Sequence, residues 1–209
     1  MKEVLYIAAR RPIPGQVKTR LGASIGHDAA AQLYAAFLAD LERAFSNAPF
    51  PVRWFTTGGW NGPHLDQGVG DWTARQARLF EGAATRNEDS VVLIASDSPQ
   101  LTASVVSEAF QLLRRHALVL GPVRDGGYYL IGMRGSHDVL SGVRMTTATV
   151  TSDIVRRARR LGIPVGWLPV SFDVDDVDDL ARLDAVLRVR PDLVHTAAAL
   201  RTINAGRAA

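Results

Sequence analysis

The pattern of apolar and polar residues along the chain alternates between the spacings typical of strands and of helices. Short apolar runs bounded by charged, glycine or proline residues predict strands at Glu3–Ala9, Pro51–Thr57, Ser90–Ser96, Ala117–Val123, Tyr128–Met133 and Pro164–Val170. Apolar residues three or four positions apart predict helices at His27–Asn47, Asp71–Arg86, Thr102–His116 and Val150–Leu161, and a last helix from Asp176 that Pro191 interrupts. This order predicts an α/β fold in which helices flank a mostly parallel sheet.

Two of these segments carry the clearest patterns. The first long helix repeats apolar residues on one face at Leu33, Phe37, Leu41 and Phe45. Asp28 is predicted to cap the start of this helix. Ser90–Ser96 is apolar without a break, which is typical of a strand in the middle of a parallel sheet that is covered on both faces.

The length and composition favour a single globular domain. The chain has 209 residues, and no repeat or linker divides it, so we predict one domain over 1–204 with a frayed tail at 205–209. It has no cysteine, which excludes disulfides, thiolate nucleophiles and cysteine-based metal sites. Val4–Ala9 is too short for a signal peptide, and no apolar run approaches a membrane span, so we expect a cytoplasmic protein without a membrane partner.

The charge is unevenly distributed along the chain. The formal net charge is only +3, but residues 1–22 carry +4 and residues 171–184 carry −5. Lys2 and Lys18 are the only lysines among the 24 basic residues. No basic stripe interleaved with aromatic residues is present, so we expect no nucleic-acid partner. The histidines lack metal-binding spacing and no serine lies in a G-x-S-x-G motif, so the sequence gives no support to a zinc enzyme or a serine hydrolase.

Polar segments follow several predicted strands. Ligands of open α/β sheets bind outside the carboxyl ends of the strands. We therefore expect four loops to form one cleft: Arg10–Arg20, the loop at Asp97, Asp125–Tyr128 and Asp173–Asp175.

The first of these loops combines proline, glycine and cations. Lys18 and Arg20 would point the same way if this stretch were extended, and such a loop can hold phosphate. A proline-glycine turn with solvated charges is an equally good interpretation. Neither a G-x-x-x-x-G-K-[ST] loop nor a G-x-G-x-x-G fingerprint occurs in the chain.

Carboxylates mark two further loops. Asp97 follows the most apolar strand, where a carboxylate is costly to bury unless a cation pairs with it. By itself, however, this position favours a helix cap made by Asp97 or Ser98. Asp173 and Asp175 lie on one side of an extended segment, an arrangement that suits Mg²⁺.

The remaining motif is open to two interpretations. Asp125-Gly126-Gly127-Tyr128 is either a hairpin turn or a place where a ligand approaches the backbone closely. The arginines at 156, 157, 159 and 160 are interpreted as the solvated face of a helix, and the alternative is a contact with an anion.

Taken together, five motifs resemble the DUF2064 family, bacterial GT-A-like transferases also called arsenosugar-biosynthesis or selenodomain-associated glycosyltransferases. The matching segments, in family order, are Arg10–Leu21, Gln67–Asp71, Ser96–Pro99, Gly121–Gly132 and Asp173–Leu180. The resemblance implies a single-domain GT-A-like fold, which is the three-layer αβα sandwich of nucleotide-diphospho-sugar transferases.

The resemblance also implies roles for individual residues. The implied catalytic residues are Lys18, Arg20 and Asp97, and the implied nucleotide-binding residues are Arg10, Pro14, Gly15, Lys18, Arg20 and Ser96. Mg²⁺ or Mn²⁺ would be bound by Asp97 and Asp175, with Asp173 assisting or structural. Asp125, Gly126, Gly127 and Tyr128 would line the acceptor or sugar side. The chain departs from the family at Arg10, where lysine is usual, at Met145–Thr147 and at Asp176–Asp178.

Three functions are compatible with these residues. The first is a metal-dependent glycosyltransferase that uses a nucleotide sugar and a small-molecule acceptor. The second is a guanylyl- or cytidylyltransferase-type enzyme that joins a nucleoside triphosphate to a small phosphorylated substrate and releases pyrophosphate. The third is a nucleotide-binding module without catalysis.

Overall fold

Seven strands form one sheet in the computed structural model, which describes residues 1–208 and the side chains of residues 1–206. The strands are β1 (Glu3–Ala9), β2 (Val52–Thr56), β3 (His64–Asp66), β4 (Ser90–Ala95), β5 (Leu118–Pro122), β6 (Tyr128–Arg134) and β7 (Val165–Trp167). The helices are α1 (Thr19–Ile25), α2 (His27–Phe45), α3 (Trp72–Glu81), α4 (Ala103–Leu113), α5 (Val150–Arg160), α6 (Asp179–Leu187) and α7 (Val194–Ala208). The predicted α/β class and mostly parallel sheet are confirmed.

The strand order is β3-β2-β1-β4-β6-β5-β7. β1 pairs in parallel with β4, β2 with β3, and β5 with β7. β6 is antiparallel to both of its neighbours. β4 is central, as predicted, but one of its two neighbours is antiparallel, because the short connection from β5 to β6 allows only a hairpin.

Some predicted elements differ from the structure. The sequence analysis missed α1 and β3, which have seven and three residues and are too short to show a clear period. The predicted interruption at Pro191 is confirmed, since α6 and α7 lie on either side of it, but α6 begins at Asp179 and not at Asp176. Asp28 is not the N-cap of α2, because Gly26 holds that position and Asp28 lies in the first turn.

The chain divides into two compact units, which are described separately. Unit 1 comprises residues 1–8, 48–95 and 103–172 and contains the sheet with α3, α4 and α5. Its core is apolar and includes Tyr6, Phe55, Phe80, Leu93 and Ile131, each at most 2% exposed. No helix in the described part of the chain is both long and apolar enough to cross a membrane.

Unit 2 comprises residues 9–47, 96–102 and the chain from Asp173 onward, and it contains α1, α2, α6 and α7. The predicted apolar face of α2 is confirmed, since all four of its repeating residues are buried. The buried Asp40 of α2 accepts hydrogen bonds from the backbone N–H of His195 (3.1 Å) and Thr196 (2.7 Å) at the start of α7. α7 continues beyond Asn204 to Ala208, and residue 209 of the predicted tail lies outside the described residues.

Candidate active site

Lys18 is held in an unusual backbone conformation at the start of α1. Its φ of +48° and ψ of +43° are left-handed, which is costly for a residue with a Cβ. The neighbouring Val17 and Leu21 are buried, at 6% and 0% exposure, and anchor the segment. The stretch is not extended, because α1 begins at Thr19, but Lys18 and Arg20 both reach Asp175.

The ammonium group of Lys18 joins two carboxylates that are distant in sequence. Its Nζ lies 2.6 Å from Oδ1 of Asp97 and 3.0 Å from Oδ1 of Asp175. The Lys18 side chain is only 5% exposed, whereas Asp97 and Asp175 are 37% and 32% exposed. Nη2 of Arg20 lies 2.6 Å from Oδ2 of Asp175. We call these four residues the Lys18 cluster, and its formal charges sum to zero.

The backbone of unit 2 fixes both carboxylates. Asp97 follows β4 directly, and its carbonyl oxygen accepts a hydrogen bond from the N–H of Val174 (3.0 Å). Oδ2 of Asp179 accepts hydrogen bonds from the N–H groups of Asp175 (2.9 Å) and Asp176 (3.1 Å). The two loops are therefore tied together beside Lys18. Asp97 is not a helix cap, because α4 begins only at Ala103.

The electrostatics of the cluster favour its charged form. Burial would lower the pKa of Lys18, but the charges of Asp97 and Asp175 outweigh burial, so this pKa is raised. Burial would likewise raise the pKa of Asp175, but Lys18 and Arg20 outweigh it, so this pKa is lowered. Lys18 and Asp175 therefore each favour the charged form at neutral pH.

Tyr34 of α2 adds a buried hydroxyl that the sequence analysis missed. Its oxygen lies 2.8 Å from Oγ of Ser96 and accepts a hydrogen bond from the backbone N–H of Arg10 (3.1 Å). Burial, and then the charge of Asp97, raise the pKa of Tyr34. Tyr34 thereby links the end of β1 to the residue before Asp97. Its signal in the sequence is a hydroxyl within the otherwise apolar face of α2.

The residues partly fit the divalent metal that the family resemblance implies. Asp97 and Asp175 each direct one oxygen at the same cation, Lys18 Nζ, and carboxylate oxygens are the ligands that Mg²⁺ and Mn²⁺ prefer. No group of three or more metal-ligating side chains occurs in the described part of the chain, so Asp173 does not complete such a set. Two carboxylates suffice for an ion that also binds substrate phosphates.

Asp125–Tyr128 belongs to unit 1 and forms the β5–β6 hairpin turn. Oδ1 of Asp125 accepts a hydrogen bond from the N–H of Gly127 (3.0 Å), and Thr151 Oγ1 donates to the carbonyl of Gly127 (2.6 Å). Gly126 has a φ of +93°, and a Cβ there would overlap the carbonyl oxygen of Ala148. The hairpin interpretation is therefore confirmed, and the backbone that closely approaches Gly126 belongs to this chain.

Tyr128 is fixed at the end of the same turn. Its hydroxyl donates to Oε1 of the buried Gln76 (2.7 Å), and burial raises its pKa. The structure thus gives structural roles to the turn residues, and their contact with substrate stays a prediction.

The structure brings together Arg10, Lys18, Arg20, Ser96, Asp97 and Asp175 of the predicted site within unit 2. Pro14 and Gly15 lie in the exposed part of the same loop. The roles of all these residues in binding or catalysis stay predictions.

Comparisons with known proteins agree with this architecture. The sequence profile of the DUF2064 family, described as uncharacterized proteins conserved in bacteria, matches residues 23–147. No curated protein matches the chain. A crystal structure of a candidate nucleotide-diphospho-sugar transferase from Desulfovibrio desulfuricans G20 is similar, with a TM-score of 0.83 and 28% identity over 97% of this chain and 99% of that one.

Two further structures share the fold at lower identity. One is CMP:2-keto-3-deoxy-manno-octonic acid synthetase complexed with CTP, with a TM-score of 0.53 and 13% identity over 91% of this chain and all of that one. The other is 2-C-methyl-D-erythritol 4-phosphate cytidylyltransferase from Thermus thermophilus, with a TM-score of 0.52 and 18% identity over 90% of this chain and all of that one. The chain therefore has the nucleotide-diphospho-sugar transferase fold.

Proposed function

The chain belongs to the DUF2064 family of bacterial proteins, and on this premise we propose that it is a metal-dependent glycosyltransferase acting on a nucleotide sugar and a small-molecule acceptor. The Lys18 cluster carries the proposal. It combines cations of the kind that bind phosphate groups with carboxylates of the kind that bind a divalent ion. The similarity to the Desulfovibrio transferase candidate, which extends over nearly the whole of both chains, supports it.

The charge balance of the cluster determines how it would bind a nucleotide. At rest, Lys18 contacts both Asp97 and Asp175, Arg20 contacts Asp175, and the two cations together neutralise the two carboxylates. Lys18 can leave the carboxylates for a phosphate only if another cation replaces it, because two carboxylates at one point repel each other. Nucleotide and metal should therefore bind cooperatively.

Each residue would then have a defined role. Lys18 and Arg20 would bind the diphosphate and stabilise the negative charge that develops on it. Asp97 and Asp175 would hold the divalent ion, which supplies further positive charge to the phosphates when bound. Tyr34, through Ser96 and the backbone of Arg10, would keep the loops in position.

The proposed reaction exchanges one bond at the sugar. A hydroxyl of the acceptor attacks the anomeric carbon, the bond from that carbon to the diphosphate oxygen breaks, and the acceptor proton is released. A nucleoside diphosphate leaves. Catalysis would come mainly from positioning and electrostatic stabilisation.

Nucleotidyl transfer is the second candidate. The cationic segment at Lys18 and Arg20 favours it, and so does the fold that the chain shares with the synthetase structure and the cytidylyltransferase structure. In this reaction a substrate phosphate attacks the α-phosphorus of a nucleoside triphosphate. The bond to the bridging oxygen breaks, and pyrophosphate leaves. The two reactions share the binding of phosphates but release different products.

A thermal-shift panel followed by product analysis tests both candidates. The panel combines nucleoside triphosphates and nucleotide sugars with and without Mg²⁺ or Mn²⁺, because a ligand that binds only the folded state raises the melting temperature. We expect a metal-dependent shift with at least one nucleotide sugar. Absence of such a shift with every nucleotide would contradict both reactions. Phosphorus NMR of the products then separates them, since glycosyl transfer yields a nucleoside diphosphate and nucleotidyl transfer yields pyrophosphate.

A further inference from the structure

A second concave region lies within unit 1, between α5 and the edge strand β7. Its volume is about 730 Å³, within the range of about 300–1,000 Å³ that is typical of sites for small molecules. Its lining includes Gly126, Arg156, Arg159, Arg160 and Trp167. All charged residues of this lining are arginines. The cavity contains none of the residues of the Lys18 cluster.

The arginines of α5 divide into two groups. Arg156, Arg159 and Arg160 line the cavity, whereas Arg157 pairs with Asp138 (2.8 Å) and is not part of the lining. Arg156 pairs with Asp153. Within the described residues, no carboxylate lies within ion-pair distance of Arg159 or Arg160. The cavity therefore carries two guanidinium charges that no acidic side chain balances.

The position of Arg159 and Arg160 in the last turn of α5 does not fully explain why both line the cavity. Cations near a helix C-terminus are stabilising wherever they point around the axis. Arg157 has this advantage too, yet its charge is balanced by Asp138. Gathering the unbalanced guanidinium groups at one concave surface costs repulsion energy, which an anionic ligand would offset.

The opposite side of the cavity offers an aromatic surface. Trp167 is the last residue of β7, which pairs on one side only, with β5, and the residue is 48% exposed. Val123, Ala148 and Val155 supply apolar surface beside it. An exposed indole next to guanidinium groups suits a ligand that has both a planar ring and an anionic group.

We propose that this cavity binds a small phosphorylated molecule with a planar ring, the phosphate on Arg159 and Arg160 and the ring against Trp167. Guanidinium groups bind phosphate oxygens through paired hydrogen bonds. The cavity shares no residue with the Lys18 cluster, and of the residues predicted for the acceptor or sugar side its lining includes only Gly126. The proposal does not depend on the proposed transferase activity.

Isothermal titration calorimetry with p-nitrophenyl phosphate tests the proposal, with inorganic phosphate and p-nitrophenol as the two partial probes. We expect the complete probe to bind about tenfold or more tightly than either part, because only the complete probe engages both sides of the cavity. The double variant Arg159→Gln/Arg160→Gln should lose about tenfold or more in affinity for p-nitrophenyl phosphate. Trp167→Ala should lower the affinity for p-nitrophenyl phosphate and leave the affinity for inorganic phosphate unchanged.

Arg157→Gln is the control, because it removes one guanidinium charge from the same helix outside the cavity. It should bind p-nitrophenyl phosphate as the unmodified protein does. Lys18→Met should also leave this affinity unchanged. Equal affinity in the double arginine variant, or an equal loss in Arg157→Gln, would overturn the proposal. A loss of binding in Lys18→Met alone would place the probe in unit 2 and would also overturn it. Thermal melting of each variant confirms that it is folded.

Discussion

Lys18 bears two costs that an ordinary surface lysine does not. Its backbone has a left-handed conformation, and its side chain is nearly inaccessible to water. Asn87 is the other non-glycine residue of the described chain with a positive φ, but asparagine adopts this conformation readily. Strain of this kind persists where surrounding contacts impose it, often at functional sites. The sequence singled out Lys18 as one of two lysines, but its burial depends on Asp97 and Asp175, which no local pattern reveals.

Replacing Lys18 by methionine tests whether its ammonium holds the position of a metal cation. In Lys18→Met, Asp97 and Asp175 no longer have the lysine to neutralise them, so Mn²⁺ alone should bind about tenfold or more tightly than to the unmodified protein. Nucleotide affinity should fall, because a phosphate ligand is lost. Electron paramagnetic resonance of free Mn²⁺ measures the first effect. Lys2→Met, which removes the only other lysine, should change neither affinity, and unchanged Mn²⁺ binding in Lys18→Met would contradict this role.

The same cluster predicts a pH dependence of stability. The lowered pKa of Asp175 stabilises the fold above the unfolded value of about 4, and this contribution is lost as pH falls through the folded value. The raised pKa of Lys18 stabilises the fold below the unfolded value of about 10.4 and is lost as pH rises through the folded value. The difference in unfolding free energy between the unmodified protein and Lys18→Met should therefore be largest near neutral pH. Urea unfolding at several pH values measures it, and a difference that does not vary with pH would be inconsistent with the pairing.

At the scale of elements, long periodic segments were predicted well and their ends were not. The apolar face of α2 follows from its own sequence, whereas its buried Asp40 serves the start of α7, more than 150 positions away. The β5–β6 turn likewise depends on Ala148 and Thr151, which come later in the chain. Such tertiary partners leave no mark in a local pattern, and so the predicted cap at Asp28 was wrong while the cap at Asp40 was missed.

Asp40→Ala should destabilise the fold through loss of the α7 cap. It removes two hydrogen bonds from backbone N–H groups to a buried carboxylate, so we expect a loss of about 2 kcal/mol in unfolding free energy. Urea denaturation with circular dichroism measures this loss. Asp28→Ala is the control, since this exposed residue of α2 only favours the helix dipole and should cost about 0.5 kcal/mol. Equal losses in the two variants would show that Asp40 does not act as a cap.

Gly126→Ala should disrupt the β5–β6 turn. The new Cβ would meet the backbone carbonyl of Ala148, and a backbone atom cannot move aside as a side chain can. Gly142→Ala is the matched control, because Gly142 has a φ of +73° but nothing within 4 Å of its Cβ position. The control should cost only the left-handed strain of about 1–2 kcal/mol, and Gly126→Ala should cost about 2 kcal/mol more. Similar melting temperatures for the two variants would contradict this close packing.

At the scale of the whole molecule, the charge distribution joins the two ends of the sequence. The basic segment at residues 1–22 and the acidic segment at 171–184 meet in the pairs from Lys18 and Arg20 to Asp175, which are 157 and 155 positions apart. The fold class and the candidate loops were predictable because strand and helix patterns and the family motifs are local. The neutral charge of the Lys18 cluster could not be predicted, because it depends on which side chains meet in the folded chain.

The proposed function requires that the Lys18 cluster bind a nucleotide and a divalent cation together. Calorimetric titration of ADP, GDP, CDP and UDP with and without Mn²⁺, allowing for the complex that each forms with Mn²⁺ in solution, tests this claim most directly. We expect at least one nucleoside diphosphate to bind about tenfold or more tightly when Mn²⁺ is present. The affinity of the protein for Mn²⁺ should rise by the same factor when that nucleotide is bound, because the coupling is reciprocal. If no nucleotide bound, or if Mn²⁺ changed the affinity of none of them, the result would contradict the claim.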